Sequence, residues 1–333
     1  MSVITPSFIH QVDHNIRILS EDSYLRLTQN MWWDQCAKVE NSVSKVEQLV
    51  WMLTTARIER TGSIGEVPFE DLVELTHSVE MEPAAAGLRL GKDELTDADG
   101  HGLKRAAKWA TDIGRYMAYF PQAMISEAIL GGEASVKSFD GEFFFSETHP
   151  NNPFRSSAGT YSNLLDGGNA LPINGNYNTA VDNFAAACAH VGSIMCADGK
   201  TPRNLKVKAV LVPPKLKTRA DLITKGRFGP VGGVAATADL APASFSDIEV
   251  FSAAELSLAA GGDDTSYYLI TDAIVDSDTA PFLYVEREAF TITNHDEFTD
   301  AEIRRSQAFE YIVRGRNAVT AAFPYGMIKV KAS

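Results

Sequence analysis

Between Leu75 and Met81 the residues Leu75, His77, Val79 and Met81 alternate with Thr76, Ser78 and Glu80. A period of two is that of a half-buried β-strand, so a strand is predicted within 70–81. The stretch VSKVEQLVWML, Val43 to Leu53, supplies a second strand. The intervening TARIERTGSIGEVPF carries Gly62, Gly65 and Pro68, which punctuate a loop tip. Two strands of about twelve residues, each residue rising ~3.3 Å, make an arm about 40 Å long. So slender an arm cannot bury both faces, and isolated hairpins are marginal in water. It is expected to need a partner surface; the competing expectation is a hairpin folded back on its own domain.

A different period begins at Leu103. Leu103, Ala106, Ala110, Ile113, Met117, Phe120, Met124 and Ala128 are spaced by threes and fours, the stripe of a long amphipathic helix over 103–130. Pro121 lies inside it and denies the Met117 carbonyl a hydrogen bond, so a bend or break is expected there. Gly131 and Gly132 end the helix. A second stripe, Phe184, Cys188, Val191 and Met195, predicts a helix within 179–196. The β-branched run KVKAVLV, Lys206 to Val212, reads as a strand stopped by Pro213 and Pro214. Tyr267 to Thr271, Phe282 to Thr293 and Phe309 to Arg314 read as further strands, and the small-residue segment Gly229 to Ser246 as a loop. The first 40 or so residues show only scattered apolar positions and the cluster Met31, Trp32, Trp33, whose indoles are expected in a core or against a neighbour. No repeat of fixed period is visible, which disfavours solenoids and propellers.

Composition narrows the class. The chain has 333 residues, 45% hydrophobic and 22% charged, which is ordinary for a globular protein of one large or two modest domains. No apolar run approaches the roughly 20 residues of a membrane span, and MSVITPSFIHQVDHNI lacks a basic start with an apolar core, so the chain is expected to stay in the cytosol. Cys36, Cys188 and Cys196 are odd in number and scattered, fitting buried thiols in a reducing compartment. A net charge of -13 argues against tight nucleic-acid binding, which needs clustered Lys and Arg. It is compatible with a container for DNA, whose wall must not hold the genome firmly.

Chemistry is sought and not found. GGEASVKS around Gly132 has Lys137 but lacks the glycine of a phosphate loop. Gly226, Gly229, Gly232 and Gly233 miss the dinucleotide spacing, and no serine occupies a Gly-x-Ser-x-Gly elbow. Cys188, His190 and Cys196 fall on a predicted helix, where positions two apart point about 200° away from each other and cannot share a metal. His149, near Glu147 and Asp140, lacks the second half of an acid–base constellation. No catalytic residue, cofactor or metal ligand is assigned. A long arm, a long helix and a mixed α/β body without a site suit a protein that works by contact with copies of itself.

Several segments resemble the Mu-like bacteriophage major head subunit family. DGEFFFSETHP, with Asp140, Gly141, Phe144, Phe145, His149 and Pro150, resembles a signature segment of that family. GRYMAYFP, with Gly114, Arg115, Ala118 and Pro121, is similar to the family's long helix, proline included. SNLL (162–165), DGK (198–200), VPP (212–214), YLITD (268–272) and ER (286–287) follow in the family's order. The N-terminal 40 residues and Gly229 to Ser246 depart from the pattern.

The resemblance implies an α+β protein of the tailed-phage capsid (Johnson) fold. Its parts would be an N-terminal arm at 1–42, an extended two-stranded loop at 43–95, and a peripheral domain at 96–175 with its spine helix at 103–130. An axial domain at 176–305 would follow, then C-terminal strands at 306–333 returning to the peripheral domain. It further implies self-assembly into hexamers and pentamers of an icosahedral head, in the virion after assembly in the host bacterial cytoplasm. Scaffold, portal and decoration proteins would be partners, packaged double-stranded DNA would be touched non-specifically, and no membrane would be. Expected inter-subunit contacts are the charged Arg57, Glu59, Arg60, Glu70 and Asp71, worth only ~0–1 kcal/mol per exposed pair, and the apolar Trp51, Leu72 and Val73, which should carry more. An encapsulin-like cargo compartment, a soluble oligomeric hydrolase and a minor tail or decoration component remain as alternatives. Packaged protein, a small oligomer on size exclusion, and low stoichiometry in virions would respectively identify them.

Overall fold

In the computed structural model the described residues are 6–53, 73–96, 101–225, 245–273, 280–295 and 308–332. The chain opens on helix α1 (Pro6–Thr28), followed by β1 (Ala37–Asn41) and the paired strands β2 (Val46–Leu53) and β3 (Val73–Glu80). Then come β4 (Glu82–Gly91), α2 (Lys92–Thr96) and α3 (His101–Leu130). Two-residue strands β5 (His149–Pro150), β6 (Thr160–Tyr161) and β7 (Leu164–Leu165) lead to α4 (Tyr177–Gly192), β8 (Leu205–Val212) and α5 (Pro214–Lys225). The remainder is β9 (Glu249–Ser252), β10 (Tyr267–Ala273), β11 (Phe282–His295), β12 (Ala308–Ala321) and β13 (Met327–Val330).

The helix predicted at 103–130 is α3, His101–Leu130, and it continues through Pro121 without a break. Its buried row turns past that proline: Ala106, Ala110 and Ile113 precede it as expected, but Ile125 and Ile129 follow in place of Met124 and Ala128. Helix α1 is a correction, because scattered apolar residues gave no helix there. Ile9, Val12 and Ile16, one per turn, bury against Ala106 and Ala110 of α3 and against Leu90, Phe309 and Tyr311. So narrow a stripe, set among His10, Gln11, Asp13 and His14, is hard to see in sequence.

The α1–α3 contact is close because Gly114 faces Ser20, and a Cβ at Gly114 would run into the Ser20 carbonyl oxygen. Gly114→Ala should therefore force the helices apart and cost about 1–3 kcal/mol despite its better helix propensity. The denaturant midpoint of the variant measures this, and an unchanged midpoint would show the contact to be slack.

The first large sheet has the order β1-β11-β12-β4. Strands β11 and β12 run fourteen residues each, far beyond the Phe309 to Arg314 expected for the second. The extension carries Arg316, Asn317 and Thr320 among apolar neighbours; burial alternates from Phe309 to Asn317, and from there to Ala321 both faces are covered and the period of two is lost. The second sheet, β7-β13-β10-β8-β9, is covered on both faces. Val210, Val212, Leu269 and Ile328 meet Phe184 of α4 and Leu216 and Ile223 of α5 on one side. Ala209, Leu211, Tyr268 and Ile270 meet Ile125 and Ile129 of α3 and Phe144, Phe145 and Trp32 on the other. Trp32 is thus a core residue. Pro214, expected only to stop β8, occupies the first position of α5, where a missing N–H costs nothing. The predicted loop Gly229 to Ser246 lies almost wholly outside the described residues. No helix among the described residues is long and apolar enough to cross a membrane.

Candidate assembly surface

The two predicted arm strands do pair. Strands β2 and β3 form an antiparallel ladder running from Val46 opposite Glu80 to Leu53 opposite Val73. Each has eight residues, so this part of the ribbon is about 26 Å long at ~3.3 Å per residue. Burial follows the expected alternation. Val79 is buried and Leu75 and His77 half-buried, whereas Glu74, Thr76, Ser78 and Glu80 are exposed. Burial lowers the His77 pKa.

The root of the ribbon is anchored on its own subunit: Leu49, Val79 and Met81 join Leu283, Val285 and Ala318 of the first sheet and Ala322 just past its end. The opposite face is open, with Val46 46% and Val50 49% exposed beside Glu74 and Glu80. Lys45 pairs with Glu80 at 2.7 Å and holds that carboxyl below its ordinary range. The folded-back hairpin is therefore realised at the root, and an uncovered apolar-and-acidic face remains above it.

Of the expected contact residues, Trp51 and Val73 stand in the ladder, Trp51 opposite Leu75 and Val73 opposite Leu53. Arg57, Glu59, Arg60, Glu70, Asp71 and Leu72 lie outside the described residues. Val46, Val50 and Glu74 were missed as surface candidates. The alternation through VEQLV already carried the signal, but which face is roofed depends on the first sheet.

The residues weighed for chemistry are structural. His149 Nδ1 lies 2.6 Å from Asp140 Oδ2 and its Nε2 3.2 Å from the Phe144 carbonyl oxygen. The two side chains are 0% and 2% exposed, and the imidazole stacks on Tyr161 at 5.4 Å. Both ring nitrogens are engaged and the pair is closed to solvent, so it ties the Asp140–Pro150 segment together. Asn163 donates to the same Phe144 carbonyl at 2.6 Å and to the Pro324 carbonyl at 3.0 Å, fixing that segment to the C-terminal strand. His190 Nε2 is 2.8 Å from the Ser162 carbonyl oxygen, and burial pushes the Cys188 thiol up to about 12. Among the described residues no group of His, Cys, Asp and Glu could hold a metal ion.

Two polar clusters join α3 to the rest. Gln122 Oε1 accepts from the Trp32 backbone N–H at 3.2 Å while its Nε2 donates to Glu255 at 2.7 Å. At the end of α3, Glu133 receives Lys329 and Lys331, each at 2.6 Å, and Lys331 also meets Asp166 at 3.1 Å. Burial raises the Glu133 carboxyl, but the two lysines outweigh it and hold it below its ordinary range. A depressed carboxylate stabilises the fold above its unfolded value, near 4.5, and that contribution disappears as pH falls through the lower folded value. Glu133→Gln should therefore lose stability at neutral pH and flatten the acid limb of a stability–pH curve. Parallel curves for parent and variant would remove the cluster from acid stability.

The comparisons with known proteins agree with this geometry. The model of the family described as Mu-like prophage major head subunit gpT matches residues 22–177, a span that contains the DGEFFFSETHP and GRYMAYFP segments. No curated protein matches the sequence. The procapsid subunit of bacteriophage JBD30 is 15% identical with a TM-score of 0.52, over 99% of this chain and 77% of that one. The mature capsid of bacteriophage PhiM1 is 12% identical with a TM-score of 0.51, over 91% and 87% of the two chains. The capsid of cyanophage P-SCSP1u is 11% identical, also at 0.51, over 91% and 88%. At such identities the likeness is one of fold, and the fold is that of phage capsid subunits.

Proposed function

We propose, for a chain that is a tailed-phage major capsid protein of the Mu-like head-subunit type, that its copies close into hexamers and pentamers of an icosahedral head around double-stranded DNA. Its place is the virion shell, and the matched family is structural. The reading gives the chain no catalytic step. The observation that carries the proposal is the ribbon: anchored at its root by Leu49, Val79 and Met81, it leaves Val46 and Val50 about half exposed on the face away from its own sheet. Isolated two-stranded ribbons are marginal in water, and a neighbour's surface supplies the missing cover.

In this reading residues 1–42 are the N-terminal arm, 43–95 the extended loop, 96–175 the peripheral domain and 176–305 the axial domain, with 306–333 completing both sheets. Trp51, Leu72 and Val73 supply apolar contact to the neighbour, and Arg57, Glu59, Arg60, Glu70 and Asp71 its charged rim. Symmetry makes many weak contacts add. Scaffold, portal and decoration proteins complete the particle. The cargo compartment is not favoured, because the matched family is one of head subunits. Negative-stain microscopy of the overexpressed protein tests the proposal: closed shells are expected, and a small discrete oligomer would refute it. Particles filled with protein cargo would revive the compartment instead.

A further inference from the structure

The net charge of -13 conceals two strongly polarised stretches. Residues 199–225 hold eight of the 30 Lys and Arg residues and, in Asp221, one of the 43 acids. Residues 61–88 hold six acids, Glu66, Glu70, Asp71, Glu74, Glu80 and Glu82, and no Lys or Arg. The acidic stretch contains β3 and the start of β4, and the basic one contains β8 and α5.

Not every base in 199–225 is available. Arg203 stacks on Tyr325 at 3.9 Å, and Lys206 stands opposite Asp272 in the β8–β10 ladder. The outward row of α5 is different. Leu216, Ala220, Ile223 and Thr224 face the core, so Lys215, Thr218, Leu222 and Lys225, spaced by threes and fours, form the opposite stripe. Lys215 and Lys225 have side chains 67% and 60% exposed, and Leu222 between them is 37% exposed. Asp221 is shared between Lys217 and Lys225, and Asp264 stands 3.8 Å from Lys215, so positive charge remains in excess. The open face of the ribbon is its complement: Val46 and Val50 form an apolar strip beside exposed Glu74 and Glu80, the latter paired with Lys45, and exposed Glu82 just beyond the ribbon's root leaves acids in excess.

We propose that the outward stripe of α5, Leu222 flanked by Lys215 and Lys225, receives the acidic open face of the ribbon of a second copy. This rests on the capsid reading and names the surface on which the ribbon lands. Copies that each carry -13 repel one another, and a basic stripe meeting an acidic ribbon turns repulsion into oriented attraction. The contact is heterologous, the same two patches used head to tail, which is what closes rings. The sign of the salt effect follows. Uniform repulsion would make salt promote assembly, whereas attraction between opposite patches is screened, so salt should hinder it.

A charge exchange tests the proposal on the full chain. Lys215→Glu with Lys225→Glu, and separately Glu74→Lys with Glu82→Lys, should each raise the concentration needed for shells by about tenfold or more, since small losses multiply over many contacts. Combining all four should restore shells, which no loss of folding could imitate, and melting curves identify any variant that merely misfolds. Shells from either pair of reversals at parental concentration, or failure of a well-folded combined variant, would overturn the inference. A nucleic-acid role for α5 would instead appear as normal assembly with lost binding of non-specific DNA in the lysine variant, and would overturn it too. A parental protein that forms no shells at all defeats the capsid reading itself, an outcome distinct from shells that ignore the exchange.

Discussion

Removing residues 56–68 leaves a subunit that folds and melts as the parent does but forms no shells. The four hydrophobic clusters that hold the described fold are built by Leu49, Val79 and Met81 and by residues farther from the loop tip. Residues 54, 55 and 69–72 stay behind to join Leu53 to Val73, and connections of about 2–5 residues suffice for a hairpin. The ladder and its anchor at Leu49, Val79 and Met81 are therefore preserved. What disappears is reach, together with Arg57, Glu59 and Arg60. In the proposed assembly each copy both gives and receives a ribbon, so one shortened arm removes a contact from every subunit at once. Circular dichroism and melting would report the intact fold, and electron micrographs the missing particles. Normal heads from the deletion would sink the idea that the arm fastens copies together.

Replacing His149 by alanine should cost about 3–5 kcal/mol of stability, the usual penalty when one member of a buried pair is removed. Asp140 would keep its bond from the Glu142 backbone N–H at 3.1 Å but lose the imidazole at 2.6 Å, and no solvent reaches it to compensate. The stacking on Tyr161 would go as well. Asp140→Ala leaves the imidazole without its carboxylate and should fall in the same range. Replacing both residues together by apolar ones of similar size should cost less than either single change, because no polar group is then stranded. Chemical denaturation of the three variants decides the matter. Single changes costing under about 1 kcal/mol, within the range of an exposed pair, would mean the pair is not the clasp described.

That pair also marks the limit of what a sequence discloses. Asp140 and His149 were visible as a catalytic possibility, and their spacing of nine residues permits many geometries. Only the tertiary fold presents Phe144 O to one nitrogen and Asp140 to the other and closes solvent off, converting a reactive combination into a fastening. The resemblance pointed to the same segment, and the family model includes it, but neither stated its mechanical role.

The sequence by itself determined the elements whose signal is local. The stripe from Ala106 to Ile113 made α3, the run Lys206 to Val212 made β8, and the alternation from Leu75 to Val79 made a ribbon strand. In each, backbone geometry fixes which side chains share a face, so the pattern is written in neighbouring residues. Tertiary structure decided where the pattern depends on what lies opposite. α1 is stabilised by a partner helix that comes within reach only because Gly114 has no side chain, and the narrow stripe Ile9, Val12 and Ile16 in Pro6–Thr28 does not announce that. The end of β12, from Asn317 to Ala321, is buried on both faces and so lost the alternation that the strand shows before it. The ribbon's root is roofed by Leu283 and Val285, more than 200 residues away along the chain, while its outer face is not. Local torsional preference can be read from a few adjacent residues, but burial is a property of the surfaces that meet, and those meet only once the chain has folded.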